Sequence, residues 1–108
     1  MLEQNIMQTT LSHEKNTVFI SQRHIHVTNA IEFERDLTTA LITKEIHTLS
    51  INLGKVESLD SAGLMALVSV LKLAQGLNKN LNICCINPSV KIIFELAQLD
   101  KIFQVNEN

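Results

Sequence analysis

The sequence predicts a layered α/β domain, on three observations. Short β-branched or alternating runs recur at 17–21, 48–53, 81–86 and 101–105. Segments of helical period, each more than ten residues long, separate them at 29–44, 61–75 and 87–99. Strands that alternate with helices of this length form parallel crossovers, with the helices layered on the sheet. Finally, 108 residues with 45% apolar and 19% charged side chains suit one folded domain rather than a disordered chain. The domain is expected to span 1–108, with its core at about 17–105.

Each element has its own local reason. The TVFIS run at 17–21 is rich in β-branched and aromatic residues, and the polar SHEKN before it reads as a turn. The segment from Ile6 to Leu11 can pair with that run as a hairpin. In the 29–44 helix, Ala30, Phe33, Leu37, Ala40 and Leu41 share one side. Asn29 is placed as its N-cap, Glu32 as the capping-box acid, and Lys44 at the negative C-terminal end. Leu49, Ile51 and Leu53 alternate with Thr48, Ser50 and Asn52, so one face of that strand is buried.

The second helix follows at 61–75, with Leu64, Leu67, Val68, Leu71 and Ala74 toward the core. Gly76 is expected to end it as a left-handed cap. The LNICCI run at 81–86 is a strand. In the third helix Asn87 caps, Pro88 takes the first helical position, and Val90, Ile93, Phe94 and Ala97 form the buried stripe. The KIFQV run at 101–105 is the last strand, and the tails at 1–5 and 106–108 are expected to be loose.

Composition narrows the function. The nine Lys and Arg are scattered and the formal charge is -2, so no basic track for a nucleic-acid backbone is present. No apolar run reaches the length of a membrane span, and the first residues lack the pattern of a signal peptide. The expectation is a soluble cytoplasmic protein with no direct membrane insertion. Cys84 and Cys85 are adjacent, and neighbours on a strand point to opposite faces, so a disulfide between them is not expected. They read as two small buried hydrophobes in a reducing compartment.

The stretch with chemical content is SLDSAGLMALVSVLKLAQG, 58–76. Asp60, Ser61, Ala62 and Gly63 open an almost wholly apolar helix. An Asp or Ser before a helix is the commonest N-cap, and the string needs no further meaning. A second reading uses the same geometry. The first N–H groups of a helix lack internal partners and carry partial positive charge, which suits an anion. A phosphate on Ser61 adds about -1.5 to -2 charges, and the amides of residues 62–64 are placed to accommodate it. Asp60 opposes the modification. With the core stripe turned inward, Ser61, Met65, Ser69 and Lys72 lie on the outward side, with Met65 and Ala66 as exposed apolar groups. That outward stripe is either a docking face, for which a flexible Met is suited, or a helix flank that tolerates one exposed Met.

Taken together, Asp60-Ser61-Ala62-Gly63-Leu64, Asn87-Pro88, and Phe94-Glu95 with Leu99 resemble the STAS domain, in that order and over about residues 46–105. This module occurs in bacterial anti-sigma factor antagonists and in the tails of sulphate transporters. The resemblance implies a single-domain, mixed β-sheet with helices packed against it. It implies a bacterial signalling protein that controls transcription through protein–protein interaction. The implied partners are an anti-sigma factor that is also a serine kinase, which phosphorylates Ser61 and is thereby released, and a metal-dependent serine phosphatase that restores binding. Asp60, Ser61, Ala62, Gly63, Met65, Ser69 and Lys72 would contact the partner.

The loop before the first helix departs from the family. It reads Gln22-Arg23-His24-Ile25-His26, with His26 near the place of a usual Asp. The family's partner surface includes this loop, so His24 and His26 join the partner-binding set and could make binding pH-sensitive. The resemblance also admits a soluble STAS subunit that binds and regulates the ATPase of a lipid or anion ABC transporter.

Other constellations are poor in chemistry. His24-x-His26 on a strand sets both rings on one face, but no third metal ligand is spaced near it. No Ser-His-Asp or Cys-His grouping and no Gly-rich phosphate loop can be argued from spacing. Catalytic residues, metal and cofactor are all expected to be none.

Overall fold

Strands and helices alternate along the chain in the expected order, and two short strands are added to it. The computed structural model describes residues 9–12, 16–43, 45–101 and 104–106. The elements are β1 (Thr9–Ser12), β2 (Thr17–Ile20), β3 (His24–Ile25), α1 (Ala30–Leu41), β4 (Thr48–Asn52), β5 (Ser58–Leu59), α2 (Ser61–Gly76), β6 (Asn80–Cys84), α3 (Pro88–Leu96), a 3-10 turn (Leu99–Lys101) and β7 (Gln104–Asn106). The expected tail at 1–5 and residues 107–108 of the expected tail at 106–108 fall outside the described residues, as does Lys44, while Asn106 ends β7.

The main sheet has the order β1-β2-β4-β6-β7. β1 and β2 form an antiparallel hairpin, with Thr10 opposite Phe19, and residues 6–8 of the segment expected to pair lie outside the described residues. β2, β4, β6 and β7 then run parallel, with Val18, Ile51, Ile83 and Val105 in one row. The sheet is therefore mixed. β3 and β5 form a separate parallel pair, His24 opposite Ser58 and Ile25 opposite Leu59. At two residues each, these strands are too short to carry a periodic signal.

One face of the main sheet is covered. Val18, Ile20, Leu49, Ile51, Leu81 and Ile83 are buried in one cluster with Phe33, Leu37 and Leu41 of α1, Ala66, Leu67, Val70, Leu71 and Ala74 of α2, and Val90 and Phe94 of α3. The intervening residues Ser50, Asn52, Asn82 and Cys84 are half-buried and Phe19 is exposed. This is the alternation of a sheet with helices on one side.

Several local expectations need correction. Ala66 is buried at 3% exposure, because the face of α2 that meets the core is rotated toward Gly63, Ala66 and Val70. Leu64 and Val68 pack only partly against the core. Ala97 is exposed and caps α3, while Ile93 is half-buried. Gly76 does not adopt a left-handed conformation. α2 runs through it, and Asn78, with φ 59°, makes the reversal instead. Asn tolerates that region better than other side chains do. β6 stops at Cys84 because Cys85 has φ 59° and leaves the extended region. Neither cysteine is in a disulfide, and both are half-buried rather than sealed in the core.

Residues at two helix ends are joined to distant parts of the chain. Neither Asn29 nor Asn87 makes a side-chain cap bond to its own helix. Asn87 Nδ2 donates to the carbonyls of Gly54 (2.9 Å) and Val56 (2.7 Å), fastening the β4–β5 loop to the start of α3. At the negative end of α1, Lys79 Nζ donates to the carbonyls of Leu41 (2.6 Å) and Thr43 (3.0 Å). A cation from the turn before β6 thus meets the helix end at which Lys44 was expected.

Phe33 is fully buried between α1 and the rest of the core. Phe33→Ala is expected to destabilise the fold by about 3–5 kcal/mol, through lost transfer energy and a residual cavity. Urea unfolding followed by circular dichroism checks this.

Candidate functional site

The site is built where β3 and β5 bring two loops together at the mouth of α2. Asp60 follows β5 directly and is the N-cap of α2, with extended backbone at φ -100° and ψ -173°. Its Oδ1 accepts from the N–H of Gly63 at 3.0 Å, and its Oδ2 accepts from the N–H of Val27 at 2.9 Å. Its own N–H donates to the carbonyl of Ile25 at 3.1 Å. One residue therefore caps α2 and ties it to the loop that leads into α1.

These bonds hold the Asp60 carboxyl below its ordinary value. The Gly63 N–H is the first cause, opposed by partial desolvation, and helped by the Val27 N–H, the charge of His26 and the Ala62 N–H.

Ser61 is the first residue of α2 and is exposed. The expected phosphate cradle at residues 62–64 is already occupied in part. The Gly63 N–H donates to Asp60 Oδ1 and the Leu64 N–H to the Asp60 carbonyl. A phosphate on Ser61 would thus meet a filled cap, and would project from the surface beside the Asp60 carboxylate.

Gly63 itself is buried, so it does not offer a contact surface. A Cβ there would lie 2.7 Å from the Ile25 carbonyl oxygen and 3.0 Å from Ile25 Cγ2. At Gly63 the helix lies too close to β3 to admit a Cβ without a shift. Met65, one turn beyond Ser61, is 62% exposed. Lys72 is exposed, while Ala62 and Ser69 are half-buried. Sequence reasoning missed Val27, 71% exposed beside Asp60, and Ile31, 74% exposed on the first turn of α1. Both are apolar residues outside the core stripe, which was the signal available for them.

His24 and His26 are brought together, though not as a metal site. His24 Nδ1 lies 2.8 Å and His26 Nε2 2.9 Å from the Oγ of Ser58, and the ring centroids are 5.6 Å apart. Asn29 fixes the loop between them. Its Oδ1 accepts from the His26 N–H and its Nδ2 donates to the His24 carbonyl, each at 2.9 Å. That is where the expected N-cap side chain goes. Among the described residues, no three His, Cys, Asp or Glu side chains gather as metal ligands. Among the same residues, no helix is long and apolar enough to cross a membrane.

Comparison with known proteins places this architecture. The family model of the STAS domain matches residues 8–108. Among solved structures, an anti-sigma factor antagonist from Mycobacterium paratuberculosis is 24% identical, with a TM-score of 0.78 over 93% of this chain and 85% of that one. The Bacillus cell fate determinant SpoIIAA in its phosphorylated form is 14% identical, with a TM-score of 0.65 over 91% of this chain and 88% of that one. The anti-sigma factor antagonist SpoIIAA in its unphosphorylated form gives 14% identity and a TM-score of 0.62, over 88% of this chain and 96% of that one.

Two outcomes follow from the cap. Because the folded-state value of Asp60 is depressed, its contribution to stability is present above the ordinary value of 3.8 and is lost as pH falls through the folded value. The gap in melting temperature between wild type and Asp60→Asn is therefore expected to shrink as pH falls below about 4. Thermal melts on both sides of that pH measure it. Gly63→Ala is expected to cost roughly 1–3 kcal/mol by forcing α2 off β3, despite a helix-propensity gain of about 1 kcal/mol. A urea midpoint at or above wild type would contradict the close approach at Gly63.

Proposed function

The chain belongs to the STAS family, and on that premise we propose that it is an anti-sigma factor antagonist-like switch thrown by phosphorylation of Ser61. The observation that carries this reading is the exposed Ser61 hydroxyl on a cap already completed by Asp60, next to the exposed apolar side chains of Val27 and Met65. A partner packs on those apolar groups in the unmodified state. A serine kinase that is itself the anti-sigma factor transfers a phosphoryl group from ATP to Ser61 Oγ. The new group adds about -1.5 to -2 charges at a point where no unengaged amide of Gly63 or Leu64 can absorb it. It lies beside the Asp60 carboxylate, so the docking face becomes strongly anionic and the partner leaves. A serine phosphatase returns the face to its neutral state.

The scaffold need not move for this to work. Asp60, Gly63 and the β3–β5 pair fix the helix mouth independently of the Ser61 side chain. SpoIIAA is known in both phosphorylated and unphosphorylated forms, and this chain matches both with similar TM-scores of 0.65 and 0.62. The protein acts in this reading as a substrate and a binding partner in the cytoplasm.

The decisive measurement is affinity for the kinase encoded in the same organism, with Ser61→Ala and Ser61→Glu compared to wild type. Ser61→Ala is expected to bind whether or not ATP is present, and to take up no phosphate by mass spectrometry. Ser61→Glu is expected to bind at least tenfold more weakly, a loss of about 1.4 kcal/mol. Wild-type affinity in Ser61→Glu, or phosphate on another residue, would overturn the switch. Capture of a transporter ATPase in place of a kinase would point to the transporter-subunit reading.

A further inference from the structure

Ser58 is a different kind of serine from Ser61. It stands on β5, half-buried, directly opposite His24 in the β3–β5 ladder. Its Oγ is within 2.8 Å of His24 Nδ1 and 2.9 Å of His26 Nε2. A hydroxyl has one proton and two acceptor lone pairs. It can donate to only one of the two rings, so the other ring must donate its N–H to Oγ. One imidazole is thereby placed as a base for the Ser58 proton, and the second as a donor that steadies negative charge developing on Oγ. A serine hydroxyl is a weak nucleophile until an adjacent base within about 2.6–3.2 Å activates it.

The arrangement is held from all sides. The Asn29 side chain bonds the backbone of both histidines. The Ser58 N–H donates to the Arg23 carbonyl at 3.2 Å. Val27, next to His26, is fastened to Asp60 Oδ2.

From this convergence of two imidazole nitrogens on one hydroxyl we propose that Ser58 is a nucleophilic serine, acylated by small activated carboxylic esters. In the step, Ser58 Oγ attacks the ester carbonyl carbon and forms the new C–O bond. The Oγ proton passes to the accepting imidazole. The bond to the leaving alkoxide or phenolate breaks with its electron pair, and that group leaves with or without the imidazole's proton according to its basicity. The product is a seryl ester and the departing alcohol. Acylation removes the hydroxyl hydrogen, so one ring loses its partner and the β3–β5 bridge is altered beside Asp60.

The probe is p-nitrophenyl acetate. Release of p-nitrophenolate and tandem mass spectrometry of the treated protein locate the acetyl group. One acetyl is expected on Ser58 of the wild type, and none at that position in Ser58→Ala. The His24→Gln/His26→Gln double variant retains Ser58 and is expected to acetylate at least tenfold more slowly, since a positioned base contributes about 10²–10⁴-fold. Added imidazole should restore part of that rate. Melting curves check that the variants are folded. If Ser58→Ala fails to fold, the double variant and its rescue carry the test. Acetyl groups confined to lysines or Ser61, or an undiminished rate at Ser58 in the double variant, would overturn the proposal. Since Ser61 takes no part in this chemistry, that result would leave the phosphorylation switch untouched.

Discussion

The carboxylate of Asp60 is the constraint on which the rest of the site depends. One oxygen completes the N-terminus of α2 through Gly63, and the other reaches across to Val27 in the loop before α1. A capping acid usually serves its own helix. Here the second oxygen makes the cap a tertiary link, so the start of α2 and the start of α1 are set relative to each other by one side chain. Burial of the Gly63 Cα against Ile25 closes the same joint from the other side. The exposed hydroxyl of Ser61 is consequently presented from a fixed platform.

This construction separates two tasks that a phosphorylatable helix start would otherwise combine. If the phosphate were to serve as the cap, modification would strengthen the helix and reorganise its first turn. With Asp60 already in that role, the phosphate proposed for Ser61 would act mainly through surface charge. In the proposed switch, a rigid platform and a labile partner contact would go together. The apolar groups around Ser61 come from two separate elements, Val27 from the α1 approach and Met65 from α2, and both are set by the Asp60 link.

A second set of bonds is made by side-chain amides and one lysine. Asn29 and Asn87 occupy the expected positions before α1 and α3, yet each spends its side chain on a neighbouring loop. Lys79 closes the α1 C-terminus from far along the chain. Loops of a small α/β domain hold many backbone groups that no strand partner satisfies, and long-range side-chain bonds answer that need. His24, His26 and Ser58 add to these bonds a hydroxyl that lies within hydrogen-bond distance of two imidazoles.

The alternation of strand and helix, the parallel crossovers and the chemical identity of the helix mouth were legible in the sequence. They rest on local periodicity and on residue type, which adjacent residues are enough to express. The Asp60-Ser61 pair is readable for the same reason, since a cap and its first helical residue are neighbours in the chain. What the tertiary structure alone decided is each contact that joins distant segments: the two-residue β3–β5 pair, the rotation of α2 that buries Ala66, the second bond of Asp60, and the meeting of Ser58 with two histidines more than 30 residues away. None of these has a period or a motif. Each arises because packing the helices on one face of the sheet fixes where the loops must cross, and only then do their side chains find one another.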